Sequence, residues 1–194
     1  IIIPSATPIQ LVGSNMTDCI FDFASGNYRF VLAGAGIYTT GTVSITSGVV
    51  VTGSSTAWLS SKLKACDQIF LDSRWYEISA VTADTTIVLA EGYSGSVLSG
   101  ATYRAGSIVK DVEFKEMTIK NSVSTSGTLD ADDVRNLLLE DVQFISNNKG
   151  FVITNFSEWA ATRVTVAAST GDGVTFDTGS LCNNKQLITA SNGG

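Results

Sequence analysis

Between Val109 and Ser122 the chain reads VKDVEFKEMTIKNS, with apolar residues at Val109, Val112, Phe114, Met117 and Ile119, in steps of three, two, three and two. The same steps return 25 residues later at Val134, Leu137, Leu139, Val142 and Phe144, and 22 residues after that at Phe156, Trp159, Ala161, Val164 and Val166. Such a period is the mark of a solenoid, in which no repeat can bury its own apolar face and each must stack on the next. Two-residue steps are those of a strand with alternate side chains turned inward, and three-residue steps mark bends between strands. Polar stretches (NSVSTSG, SNNKG and ASTGDG) close the three passes as turns. The pattern over 105–194 therefore predicts a parallel β-helix whose coils pair at about 4.8 Å. A leucine-rich repeat has a similar period but needs L-x-x-L-x-L with an Asn, which this chain lacks.

Two other stretches carry different patterns. In 41–104, the β-branched runs Val43–Ile45 and Val49–Val51 flank Ser47-Gly48 and predict a hairpin. QIFL, WYEISAV and TTIVLA follow, with turns at Asp72-Ser73-Arg74 and Thr82-Ala83-Asp84. Five strands in so short a stretch predict a small barrel or sandwich, with Trp58, Trp75 and Tyr76 as its core or, alternatively, an exposed aromatic for stacking on a sugar. Residues 1–40 alternate less regularly and end in a Gly-rich turn, as an early β-helix coil would. On that reading 41–104 is an insertion between coils. The closing KQLITASNGG carries no capping signal, so further chain or partner chains are expected over the last coil.

Composition narrows the function. The chain has 194 residues, 44% hydrophobic and 15% charged, with 18 Gly and 2 Pro, which suits an all-β chain rich in turns. A net charge of −6 and no basic cluster argue against nucleic acid. No apolar run reaches the ~20 residues of a membrane span. Cys19, Cys66 and Cys182 form no disulfide framework or metal pair and read as small buried hydrophobes. The absence of histidine removes Ser-His-Asp and Cys-His catalysis and His-bound zinc. No cofactor is expected.

VKDVEFKEMTIKNS, VRNLLLEDVQFISNN and GDGVTF (Gly171 to Phe176) resemble coils of the right-handed, pectate-lyase-like β-helix superfamily, shared by many phage tailspikes and tail fibres. Residues 41–104 are similar to a small β module of phage virion structural proteins, keeping Trp58, Lys64-Ala65, Asp67, Trp75-Tyr76, Val81-Thr82, Asp84-Thr85 and Tyr93-x-Gly95. They depart from it at Cys66, where that module has Gly. The resemblance implies an all-β fold, a right-handed parallel β-helix with a small β-barrel or sandwich module inserted. It also implies a homotrimer in a virion tail appendage, serving assembly and host attachment beside other virion structural proteins, with host cell-surface polysaccharide as a partner. Two alternatives are a fragment of a polysaccharide-degrading tailspike and a capsid-surface decoration or adhesin.

The charged residues admit two readings. In register, Glu116 lies beneath Asp141 and Asp141 beneath Arg163, while Lys115 lies beneath Glu140. They are either a ladder of ion pairs on a solvated face, or a Glu116–Asp141 dyad with one raised pKa and Arg163 as cationic stabiliser, the paired-carboxylate chemistry of glycoside hydrolysis. Asp130, Asp132 and Asp133 read as a solvated turn or a partial cation loop lacking the Gly and distal Glu of an EF-hand. Asp172 and the pairs Asn147-Asn148 and Asn183-Asn184 read as turn residues. Trp159 and Trp75 are the candidates for glycan stacking.

Overall fold

The computed structural model describes residues 2–3, 8–155, 157–176, 181–182 and 186–190. Its strands are β1 (Ile2–Ile3), β2 (Ile9–Val12), β3 (Ile20–Asp22) and β4 (Phe30–Ala33); then β5 (Ala35–Tyr38), β6 (Thr42–Ile45), β7 (Gly48–Ser54) and β8 (Gln68–Leu71). Next come β9 (Arg74–Ala83), β10 (Thr86–Tyr93), β11 (Leu98–Ala101), β12 (Arg104–Ser107), β13 (Val109–Lys120) and β14 (Leu129–Asp132). The last are β15 (Val134–Ile145), β16 (Phe151–Thr154), β17 (Glu158–Ala167), β18 (Val174–Phe176), β19 (Leu181–Cys182) and β20 (Gln186–Ala190). Among the described residues there is no helix, and so none long and apolar enough to cross a membrane. The fold is all-β, with parallel and antiparallel sheets.

The chain divides into two compact units: Gly34–Ile108, and the residues on either side of that segment. The flanking unit holds two parallel sheets. One runs β1-β4-β14-β16-β18, and the other runs β2-β13-β15-β17-β19, with β3 also on β13 and β20 also on β17. The period seen in the sequence is the register of the second sheet. Val112 pairs with Leu137 and Phe114 with Leu139 at an offset of 25; Leu137 pairs with Trp159 and Leu139 with Ala161 at an offset of 22. Fourteen of the fifteen repeat positions are buried, and Phe156 lies outside the described residues. Asn183-Asn184 and the end of KQLITASNGG also lie outside them.

Among the described residues, left-handed residues stand in the three-residue steps after Val109, Phe114, Val134, Leu139 and Ala161, and at the close of each pass. These are Asp111, Glu116 and Asn121 in β13 and its end, Asn136, Asp141 and Ser146 one coil on, and Arg163 and Ala168 after that. A left-handed residue turns the chain and resets the in–out alternation, so the next strand again starts with its apolar residue inward. Asn and Asp, which tolerate this conformation best after Gly, hold four of the eight places. The core between the sheets is therefore made of rows, such as Leu11, Phe114, Leu139 and Ala161, met from the other side by Phe30, Leu129 and Phe151. Phe30 contacts Phe114 edge-on at 5.3 Å and Phe151 contacts Trp159 at 5.9 Å.

Asn147, read from sequence as a turn residue, does follow the end of β15 but does more than turn the chain. It is fully buried, its Oδ1 accepting from the Ser122 N–H (2.9 Å) and its Nδ2 donating to the Ile119 carbonyl (3.0 Å), both in the preceding coil. In the third closing turn, ASTGDG, the left-handed residue is Ala168, while Asp172 is simply exposed.

The unit Gly34–Ile108 contains an antiparallel sheet of order β11-β6-β7-β10-β9-β8-β12-β5. The hairpin expected around Ser47-Gly48 joins β6 and β7, pairing Val43 with Gly53. Asp72 and Ser73 both take positive φ in the tight turn from β8 to β9, as a two-residue hairpin demands. The sheet has eight strands rather than five. β5, read from sequence as part of the N-terminal segment, pairs with β12 here, and a Cβ on Gly106 would come within 3.0 Å of the Gly36 carbonyl. Trp58, Trp75 and Tyr76 are buried in this unit, Trp58 donating from Nε1 to the Tyr103 hydroxyl at 2.8 Å. Cys66 is exposed rather than buried, and Cys19 is partly buried. Cys66 has φ of 72°, a left-handed conformation that explains why Gly suits this position in similar modules.

Candidate functional site

Along β13, β15 and β17 the side chains that alternate with the core face outward. Register stacks Gln10, Glu113, Leu138 and Ala160 in one such row across four strands. Beside the row stand the bend residues Asp111 and Asn136, and Glu158, 22 residues after Asn136. With Pro8, Leu137 and Trp159 they line a groove of about 320 Å³. Gln10 Nε2 donates to Glu113 Oε2 at 2.8 Å, and Asn136 Nδ2 donates to Asp111 Oδ1 at 2.9 Å. Each amide fixes the carboxylate of a neighbouring coil. The result is a small concave site with convergent hydrogen-bonding groups at one end and apolar Leu138 and Ala160 at the other, a composition typical of ligand sites. It suits a ligand rich in hydroxyl or amine donors.

An ion-pair ladder continues from the groove along the same face. Lys115 Nζ lies 3.3 Å from Glu113 and 3.5 Å from Glu140. Arg163 lies 3.2 Å from Glu140 and clasps Asp141 through Nε and Nη2, each at 2.5 Å. The guanidinium hydrogen bonds hold the Asp141 carboxyl below the usual carboxylate range, against a smaller upward push from burial. The hydrogen bond to Glu113 raises the Lys115 ammonium.

Of the two readings, the arrangement favours the ladder: the partner of Asp141 is Arg163, whose hydrogen bonds push that carboxyl down. Glu116 is an exposed bend residue whose place on the stack is set by its left-handed backbone. Trp75 is completely buried against Phe70 and offers no face to a sugar. Trp159 is 4% exposed and packs on Phe151 in the core, although it also borders the groove.

The three clustered aspartates have different surroundings. Asp130 lies 3.8 Å from Arg29, and half-burial pushes its carboxyl up, against the pull of that arginine. Asp132 accepts from Asn155 Nδ2 at 2.5 Å. Asp133 is a buried, left-handed bend residue, not part of a solvated turn. Among the described residues no group of His, Cys, Asp and Glu is arranged to hold a metal ion. Gln10, Asp111 and Asn136 escaped the sequence reading as site residues. Adding 25 to Asp111 gives Asn136, which was the available signal, but Gln10 arrives from 103 residues away.

No family model and no curated protein matches the chain. Among solved structures it is similar to the tailspike gp61 of Pseudomonas phage phi297, at 10% identity and a TM-score of 0.43, over 96% of this chain and 38% of that one. It is also similar to the gp54 tailspike of Acinetobacter baumannii bacteriophage AP22, a structure in complex with A. baumannii capsular saccharide, at 12% identity and a TM-score of 0.36, over 94% of this chain and 39% of that one. The chain thus spans about two fifths of the length of either tailspike.

Proposed function

We propose that the chain is a structural and receptor-binding part of a phage tail appendage, a tail fibre or tailspike, serving virion assembly and host-surface attachment. In this reading the parallel coils form a right-handed β-helix, residues 41–104 are an inserted virion module, and three copies assemble beside other virion structural proteins. The outward groove takes host cell-surface polysaccharide. One observation carries the reading: apolar rows run from coil to coil inside the stack while ion pairs join the same coils outside it, a stiff scaffold that presents a shaped face. The resemblance of 41–104 to a module of virion structural proteins supplies the setting. Immunogold labelling of phage particles with antibody against this chain is expected to mark the tail. Label confined to the capsid, or to no part of the particle, would refute the proposal.

A further inference from the structure

Stacking on a sugar needs an aromatic ring in solvent, and Trp75 and Trp159 are both buried. Among the described side chains one aromatic is exposed: Tyr28, at 64%. It lies in the turn 23–29 that leads from β3 to β4, beside the turn 121–128 of the next coil. The two turns are joined by hydrogen bonds. The Val123 N–H donates to the Gly26 carbonyl (3.2 Å), and the buried Ser122 hydroxyl donates to the Tyr28 carbonyl (2.6 Å). Between the same register positions the following coils have the shorter turns 146–150 and 168–173, so the first two project as a ridge.

The ring has a fixed seat on this ridge. A Cβ on Gly26 would collide with the Tyr28 ring, which therefore lies directly over that glycine, and the Phe23 ring stands 6.2 Å away. The exposed residues of the two turns include Ser25, Asn27, Val123, Thr125 and Ser126, and neither 23–28 nor 121–128 contains a charged residue. Charges at the margins are paired, Lys120 with Asp22 at 3.3 Å and Arg29 with Asp130 at 3.8 Å.

We propose that Tyr28 is a stacking platform for a neutral saccharide. It is a second contact apart from the groove, which borders Asp111 and Glu113 near the start of β13, whereas the ridge follows the end of that strand. The assignment rests on reading the chain as a saccharide binder, and adds a subsite and the charge class of its sugar. The C–H face of a pyranose ring is apolar and its hydrogens are weakly positive, which suits the negative face of the tyrosine ring. Hydroxyl and amide side chains on the two turns match the sugar's own hydroxyls. A uronate gains nothing from the stack that offsets partial loss of its hydration, because the ridge carries no cation.

Proton NMR titration of the whole chain with cellohexaose, N-acetylated chitohexaose and hexagalacturonate tests this. The neutral hexasaccharides are expected to bind, with sugar C–H signals shifted upfield by the ring and with an affinity indifferent to salt. Hexagalacturonate should bind more weakly than either. Tyr28→Ala, at an exposed side chain, should leave the melting temperature nearly unchanged, weaken binding about tenfold and abolish the upfield shifts, while Tyr28→Trp should retain both. Gly26→Ala should also weaken binding, because it drives the ring from its seat with the aromatic still present. Neutral binding that is unchanged in Tyr28→Ala, or a preference for hexagalacturonate, overturns the platform and leaves a saccharide site elsewhere on the chain. No binding of any probe overturns the platform and the saccharide reading together.

Discussion

Replacing Asn147 by Ala removes a link between coils that no other side chain can supply. Asn147 is completely buried, and its amide closes two hydrogen bonds to backbone groups of the preceding coil, at Ser122 and Ile119. Truncation leaves the Ser122 N–H and the Ile119 carbonyl without that partner in a region water does not reach, and an unsatisfied buried polar group costs about 1–3 kcal/mol. Partial relaxation of the coil offsets some of this, so the expected loss is about 2–4 kcal/mol. In a chain of this size each kcal/mol lowers the melting temperature by about 2–4 °C. Circular dichroism during urea and thermal unfolding, with the exposed amide variant Gln10→Ala as control, measures the difference. Asn147→Asp adds a second check, because a protonated carboxyl can donate to the Ile119 carbonyl but a carboxylate cannot. Burial raises the folded pKa of the introduced acid, so this variant should be most nearly native below the unfolded carboxyl pKa of about 4 and lose stability as pH rises through the folded value. A loss below about 1 kcal/mol for Asn147→Ala, or an Asn147→Asp variant indifferent to pH, would refute the clamp.

Two further outcomes follow from the bends and the ladder. Glu116→Asn should stabilise the protein by about 0.5–1 kcal/mol in urea unfolding, since Asn adopts the left-handed bend at lower cost than Glu. Arg163→Met should shift the melting temperature only slightly, because the pair is partly exposed and screened. Its effect should be present above the unfolded Asp pKa and fade as pH falls through the depressed Asp141 value, and reducing-sugar assays on capsule should show no release that depends on Glu116 or Asp141.

The apolar repeat was legible because stacking in parallel register makes position i and position i+25 the same place in space, so the core repeats in the sequence as it does in the fold. The bends were legible as three-residue steps, although not that most would turn on a left-handed residue. Side-chain partnerships were less so. Glu116, Asp141 and Arg163 share a row, yet the long guanidinium reaches past the backbone spacing to clasp Asp141, which turned an apparent acid pair into an ion pair. The role of Asn147 was hidden because a turn amide that clamps the preceding coil and one that only turns the chain look alike in one dimension. β5 was misassigned because short Gly-containing strands have little pattern to read, and the pairing with β12 is decided across almost seventy residues of chain.

The corner that follows each short strand of the first sheet has a consequence for how such a chain can be altered. Ala33 and Asp132 are register partners, and so are the coils that resume at Val109 and Val134. One corner is bridged by Asp133 alone, the other by the whole segment Gly34–Ile108, and the pairing on both sides is the same. Because the ends to be joined are already held close together by the stack, the entropy of closing the connection grows only slowly with what is placed between them. The corner thus behaves as a splice point, and the equivalent place at Asp133 is where a foreign domain could be grafted with the coils left in step.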